Sequence, residues 1–314
     1  MKNSLLERTL EVLHEAGFIV SEICSYRSRS FDLAARRDEL LILLKLLSNI
    51  DGINREIAEE MKRIAAYLSG SPVIVGKRVG FRPLERGVVY YRYDIPSVSV
   101  ETLYDYLVEN SPPLVYSSPG GFYVSIDGEV LRRRRLEEGL SLGDIASYLG
   151  TSRRTISKYE EGMDATIDNA LKLEELLGIV LIKSIDFLNI RKPVDIDESI
   201  EEKLNEIERL VIERLKSLGF DVLPTLHSPF DTISKDELST LLVTVHRRIE
   251  ALKRRARLLR SLSEIACAHS VFILESSHSA PKNIEGNPVV NMGELEDFDD
   301  SKELIEVIYE RSEN

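Results

Sequence analysis

The two ends of this chain resemble each other, and nothing else in the sequence constrains its fold as strongly. The N-terminal stretch reads LLERTLEVLHEAGFIV, then SFDLAARRDELLILLKL, and later GSPVIVG. The C-terminal stretch reads IERLVIERLKSLGFDV, then PFDTISKDELSTLLVTV, and later AHSVFILES. Leu5, Leu10, Leu13, Gly17 and Phe18 match Ile207, Ile212, Leu215, Gly219 and Phe220 at one offset. After a short shift, Phe31-Asp32 matches Phe230-Asp231, and Asp38-Glu39-Leu40 matches Asp236-Glu237-Leu238.

Each copy reads physically as the same succession of elements. Leu6, Leu10 and Leu13 form one apolar helical stripe, as do Leu204, Ile207, Val211, Leu215 and Leu218. Gly17 and Gly219 stand where a helix closes in a left-handed cap. LLILLKLL and STLLVTV are short apolar runs suited to buried central strands. A second helix follows through Ile53, Ile57, Met61, Ile64 and Leu68, mirrored by Ile249, Leu252, Ala256, Leu259 and Ala266. PVIVG and SVFIL are further buried strands, and a last helix is expected at 100–109 and 301–310. The fold class is therefore α/β plus all-α: two repeated α/β sandwiches flanking a helical segment. The divisions are 1–110, a linker and hairpin at 111–128, a helical domain at 129–186, a charged linker at 187–199, and 200–314. Within 111–128 the Pro-, Ser- and Gly-rich SPPLVYSSPGG turns into a strand FYVSID, which IVLIKSIDFL could pair as a small wing.

Composition excludes several classes. An apolar share of 43% with 30% charged residues is that of an ordinary globular protein. No run of about eighteen uncharged apolar residues occurs, so no membrane span is expected. Glu7, Glu11 and Glu15 break any secretory apolar core near the start, and a cytoplasmic protein is expected. Cys24 and Cys267 lie far apart, and the five histidines show no metal-ligand spacing, so neither metal nor cofactor is expected. The net charge of −12 argues against a chain that coats nucleic acid all over. Yet residues 129–159 carry seven Lys/Arg against four Asp/Glu, so basic character gathers in the middle.

That middle holds LRRRRLEEGLSLGDIASYLGTSRRTISKYEEGMDATIDNALKLEELLG. Its spacing is that of a helix-turn-helix in a four- or five-helix bundle. Leu142, Ile145, Ala146 and Leu149 bury one face of the first motif helix, and Ala146 is small where helices cross. Gly150 permits the tight turn, Ser152 can cap the second helix, and Ile156 and Tyr159 pack it inward. Arg153, Arg154, Thr155, Ser157 and Lys158 are left outside, offering cations to guanine edges and phosphates and hydroxyls to bases. Ser152, Arg153, Arg154, Thr155, Ser157 and Lys158 are the candidate DNA-binding residues. Arg135 and Glu160 are read as a scaffold pair.

These residues resemble the Cro/lambda-repressor type of helix-turn-helix. Arg135, Gly139-Leu140-Ser141, Ala146, Gly150, Ser152, Ile156-Ser157-Lys158 and Glu160-Glu161-Gly162 match its pattern, whereas Leu142 stands where that family often carries Gln. The whole chain is similar to the archaeal family of helix-turn-helix transcriptional regulatory proteins. That resemblance implies a transcriptional regulator; double-stranded DNA is the expected partner and a homodimer is expected, and half-sites one helical turn apart would follow from a two-fold dimer. This leaves the α/β modules to dimerise the chain or bind a protein.

The outer copies resemble the restriction-endonuclease-like fold, whose cutting version needs Asp followed by Glu-x-Lys on the next strand to hold Mg²⁺ and activate water. Here Asp32 and Lys45 are present, but Leu43 takes the Glu position. Glu39 lies six residues before Lys45. In the second copy Asp231 remains, with Leu242 and Thr244 at the Glu and Lys positions. The resemblance therefore implies degenerate modules and no catalytic residue; Asp32 and Asp231 are themselves expected to cap a strand turn or hydrogen-bond backbone. A Mg²⁺-dependent, structure-selective nuclease is the alternative. HRRIEALKRRARLLR, 246–260, leaves a basic helix face that could grip phosphate or simply be solvated.

Overall fold

A computed structural model describes residues 2–24, 29–189, 200, 203–275 and 281–312. In the N-terminal region, α1 (Lys2–Glu15) leads through β1 (Ile19–Val20) to the antiparallel pair β2 (Leu33–Arg37) and β3 (Leu40–Asn49). Helix α2 (Arg55–Tyr67) crosses to β4 (Ser71–Val79), parallel to β3. Then come β5 (Arg82–Pro83), β6 (Val88–Arg92), β7 (Ile95–Val98) and α3 (Val100–Leu107). The middle contains β8 (Val115–Ser118), β9 (Gly121–Val124), α4 (Gly128–Glu137), α5 (Leu142–Leu149), α6 (Arg153–Glu160), β10 (Ala165–Thr166) and α7 (Ile167–Leu177).

The C-terminal region opens on a comparable order of helix, strands, helix and strand. Its elements are α8 (Glu206–Ser217), β11 (Asp221–Pro224), β12 (Thr232–Lys235), β13 (Thr240–His246), α9 (Ile249–Ala266) and β14 (His269–Leu274). β15 (Asn283–Ile284), β16 (Asn287–Asn291), α10 (Met292–Asp297) and α11 (Ser301–Ser312) complete it. Its sheet order is β11-β12-β13-β14-β16-β15, with β13, β14 and β16 parallel. The first sheet opens the same way, β1-β2-β3-β4-β7. Gly17 and Gly219 do close α1 and α8 at φ +78° and +98°.

Each sheet is covered on both faces, which is why its central strands are apolar throughout rather than alternating. Leu5 and Leu13 of α1 with Leu103 of α3 cover one face of the first sheet. Val211 and Leu215 of α8 with Leu304 and Ile308 of α11 cover one face of the second. Between the sheets lies one continuous core, to which α2 gives Met61 and Ile64, α9 gives Leu252, Leu259 and Leu262, and the strands give Ile74 and Phe272.

The two regions are thus packed on each other, and the contacts are reciprocal. Arg36 Nε donates to Ile265 O at 2.5 Å, and Lys235 Nζ donates to Tyr67 O at 3.1 Å. Arg36 and Lys235 hold matching ladder positions, opposite Leu41 and Thr240. Tyr67 and Ile265 lie at matching distances before the parallel strands β4 and β14. Phe31 and Phe230, also matching, meet with ring centroids 6.5 Å apart.

The 111–128 segment forms a hairpin of β8 and β9, and β8 also pairs parallel with β6, so the hairpin extends the first sheet to β8-β9-β10. The wing gains β10, which the sequence did not suggest, while IVLIKSIDFL contributes one bridge, Ile126 to Ile182. Of the 187–199 linker, 190–199 lie outside the described residues, and Phe187 and Leu188 are buried core.

Candidate nucleic-acid interface

Helices α4–α7 enclose Leu131, Ile145, Ala146, Leu149, Ile156, Tyr159, Ala170 and Leu173. Their ends are fixed by the side chains the sequence offers. Ser141 caps α5 and forms a reciprocal capping box with Asp144. Hydrogen bonds from Ser141, with a smaller pull from Arg153, hold the Asp144 carboxyl below the usual range. Gly150 ends α5 at φ +66°, and Ser152 caps α6 by accepting from Thr155 N at 3.1 Å.

Three contacts seat α6. Ile156 and Tyr159 are buried beneath it, and Asn169 Nδ2 donates to Tyr159 Oη at 3.1 Å. Arg135 of α4 forks onto Glu160 at 2.6 and 3.2 Å, while its third nitrogen reaches Leu140 O at 3.0 Å. Gly128 packs so closely that a Cβ there would stand 2.5 Å from both Tyr159 O and Glu160 O.

The six candidate residues share one surface but not one task. Arg153, Arg154 and Lys158 are exposed, as is Ser152. The Ser152 hydroxyl is committed to its cap and lies 2.9 Å from Thr155 Oγ1. Ser157 Oγ donates to Glu161 Oε1 at 2.9 Å. Arg153 folds back over the N-terminus of α5, where a Cβ on Gly143 would meet its Nε at 2.9 Å. Arg154 and Lys158 are therefore the cations free to project outward, and the hydroxyls serve the helix first.

The bundle is splinted to the first sheet. β10 pairs with β9, and Asp164 accepts from Tyr116 Oη at 2.6 Å and from Ser125 Oγ at 2.8 Å.

The nuclease-like positions are arranged differently from a metal site. Asp32 Oδ1 accepts from Arg29 Nε at 2.5 Å, and its Oδ2 accepts from Leu46 N at 2.6 Å. Lys45 donates to Arg29 O, and Leu43 is core. Asp231 Oδ2 accepts from Val245 N at 2.7 Å, the counterpart of the Leu46 bond. Leu242 and the Thr244 side chain are buried. Both aspartates thus bond backbone, and these residues do not fit a Mg²⁺ ion. Among the described residues no group of three or more His, Cys, Asp or Glu is placed to hold a metal.

Arg247, just before α9, pairs with Glu275, and Arg257 and Arg260 on α9 pair with Glu285 and Glu264; Lys253 and Arg254 of the same helix are exposed. One polar device escaped the sequence reading. Glu60, 2% exposed, accepts from Leu226 N and His227 N at 2.9 Å and from Ser228 Oγ at 3.0 Å, clamping the two regions. Its signal was a carboxylate within a core-facing helical stripe.

Bundle and first sheet together define a helix-turn-helix protein that carries a nuclease-like α/β domain on its N-terminal side. The family model for the PD-(D/E)XK superfamily domain matches residues 2–113, and that for helix-turn-helix matches 131–181. A "Putative HTH-type transcriptional regulatory protein" of Methanococcoides burtonii is 47% identical over 99% of this chain and 98% of its own length. Relatives with that name from Archaeoglobus fulgidus and Halorubrum lacusprofundi are 40% and 39% identical, each over 99% of this chain and over 99% and 98% of their own lengths. The chain belongs to this archaeal family of HTH-type transcriptional regulatory proteins. No solved structure matches. No helix among the described residues is long and apolar enough to cross a membrane.

Proposed function

We propose that the protein regulates transcription by laying α6 in the major groove, with Arg154 and Lys158 reaching bases and phosphate. Ser152, Arg153, Thr155 and Ser157 shape the same face. The observation that carries this reading is a capped, internally pinned helix with two outward cations that make no ion pair among the described residues. A bidentate Arg-to-guanine contact discriminates by about 1–3 kcal/mol. Arg154→Ala should lower affinity for a selected duplex by that amount and relax one base position, as read by footprint titration. Unchanged affinity and pattern would reject the assignment.

The same reading divides the chain at 1–110, 111–128, 129–186, 187–199 and 200–314, and takes the outer regions as duplicates that no longer cut. What supports it is the aspartate-to-backbone bonding on both sides and the reciprocal Arg36 and Lys235 contacts. The face that could join two chains through these modules is thereby used within one chain. Since the described residues hold one helix-turn-helix, reading two half-sites would take a second chain, joined on a surface other than this one. Two half-sites about 34–36 Å apart in a footprint would support such a homodimer, and one half-site would refute it. The nuclease alternative predicts Mg²⁺-dependent cleavage of branched or duplex DNA that disappears in Asp32→Ala. We expect none.

A further inference from the structure

The stretch GKRVGFRPLERG forms the β4–β5 hairpin, and its tip departs from the usual composition of a turn. Arg78 opposes Pro83 and Val79 opposes Arg82, leaving Gly80 and Phe81 as a two-residue turn. Gly80 takes φ +55°, the left-handed first position that such a turn requires. The second position ordinarily carries a polar residue. Here it carries Phe81, 99% exposed, more than any other large apolar side chain among the described residues. Its ring gives nothing to the core, so folding does not explain it.

The tip is also held in place. Asp51 accepts from Gly80 N at 2.7 Å, and Arg92 donates to the other Asp51 oxygen at 2.7 and 2.5 Å. At the base of the hairpin Leu84 is buried and Leu84 N donates to Lys77 O at 3.0 Å. Exposed Arg78 and Arg82 lie on opposite faces of the ribbon, because they belong to adjacent cross-strand pairs, and neither makes an ion pair among the described residues. The result is a stiff ribbon with an apolar point and a cation on each side. A protein pocket would need only the apolar point. Flanking cations on both faces match an occupant with negative charge on both sides, and the two strands bordering a minor groove supply that.

The sheet carries both this ribbon and the wing of the bundle. From β4 the order runs through β7, β6 and β8 to β9. Four steps at about 4.8 Å give a lateral separation of about 19 Å, within the ~34 Å of one duplex turn.

We propose that the β4–β5 hairpin is a second DNA-contacting element, with Phe81 entering the minor groove as a wedge between base steps and Arg78 and Arg82 gripping the flanking phosphates. This rests on the reading of α6 as DNA-binding, and one experiment separates the two. Duplexes are enriched from a random pool with the wild-type full chain. The enriched duplex is then labelled at its ends for energy transfer and substituted with 2-aminopurine at successive steps. Wild type should bend the duplex and brighten 2-aminopurine at one step. Phe81→Ala should bind about tenfold more weakly, with bend and brightening lost and melting temperature unchanged. Phe81→Leu, still an apolar wedge, should keep the bend. Arg78→Ala combined with Arg82→Ala should reduce the slope of log affinity against log salt by about 2. Enrichment by wild type, with Phe81→Ala matching it in affinity, bend and fluorescence, overturns this inference alone. Weaker binding with bend and brightening intact also overturns it, since Phe81 would then not be a wedge. Failure to enrich any duplex refutes the reading of α6 and this inference with it.

Discussion

Replacing Arg135 by Met should melt the DNA-reading bundle while leaving the paired sheets folded. Arg135 and Glu160 are about nine-tenths buried, with side chains 10% and 9% exposed, and are bonded at 2.6 and 3.2 Å. Two unit charges about 4 Å apart attract by about 4 kcal/mol at an effective dielectric of 20. Deleting one partner of a buried pair costs about 3–5 kcal/mol, because the other charge stays behind uncompensated. Leu140 O also loses its donor. At about 0.05–0.15 kcal/mol per residue, roughly fifty residues of bundle hold only about 2.5–7.5 kcal/mol. The loss therefore approaches the whole local stability. Native-state amide exchange should show Ile156 and Tyr159 falling by about 3 kcal/mol or more in protection, with Ile74 and Phe272 unaffected. The double variant Arg135→Met with Glu160→Leu should recover most of the loss, since no orphan charge remains. Protection of α6 within about 1 kcal/mol of wild type in the single variant would refute the reasoning.

Gly128→Ala should destabilise the same bundle by about 1–3 kcal/mol by overpacking, read in denaturant melts, because its Cβ would stand 2.5 Å from two backbone oxygens. The acid response should show a signature of Asp231, whose carboxyl burial pushes up to about 6 against the pull of the Val245 N–H and Arg255. A raised carboxylate binds its proton more tightly folded than unfolded, so its contribution is greatest at low pH and is lost as pH rises from about 4 to about 6. Asp231→Asn should therefore gain stability relative to wild type as pH rises through that window, and parallel stability–pH curves would exclude the effect.

Much of this architecture was legible because each element carries its own instruction. The apolar stripes of α1 and α8, the uninterrupted β3 and β13, and the Gly150–Ser152 turn depend on neighbours a few residues away. The orientation of α6 was legible for the same reason, since Ile156 and Tyr159 fix which side faces out. The pairing of the two halves was not. Beside the shared apolar core it uses Glu60 meeting Leu226–Ser228 and Ser30 N meeting His227 O at 2.7 Å, contacts between residues some 170–200 apart. Nor was the continuity of β6 with β8, because a four-residue strand such as VYSS carries too little pattern to name its neighbour. The cap by Ser152 was legible in the Gly-x-Ser spacing, whereas the Ser157 bond to Glu161 was not, since a hydroxyl on an outward face carries no mark of a partner four residues on.

The ladder from β6 through β8 and β9 to β10 has a mechanical consequence. A reading head on a slack tether samples many bearings and leaves the body free to swivel behind it. Here the joint is welded by β-sheet, so whatever α6 grasps fixes the compass heading of the entire particle. Anything else riding on that body then arrives at a set distance and azimuth along the double helix.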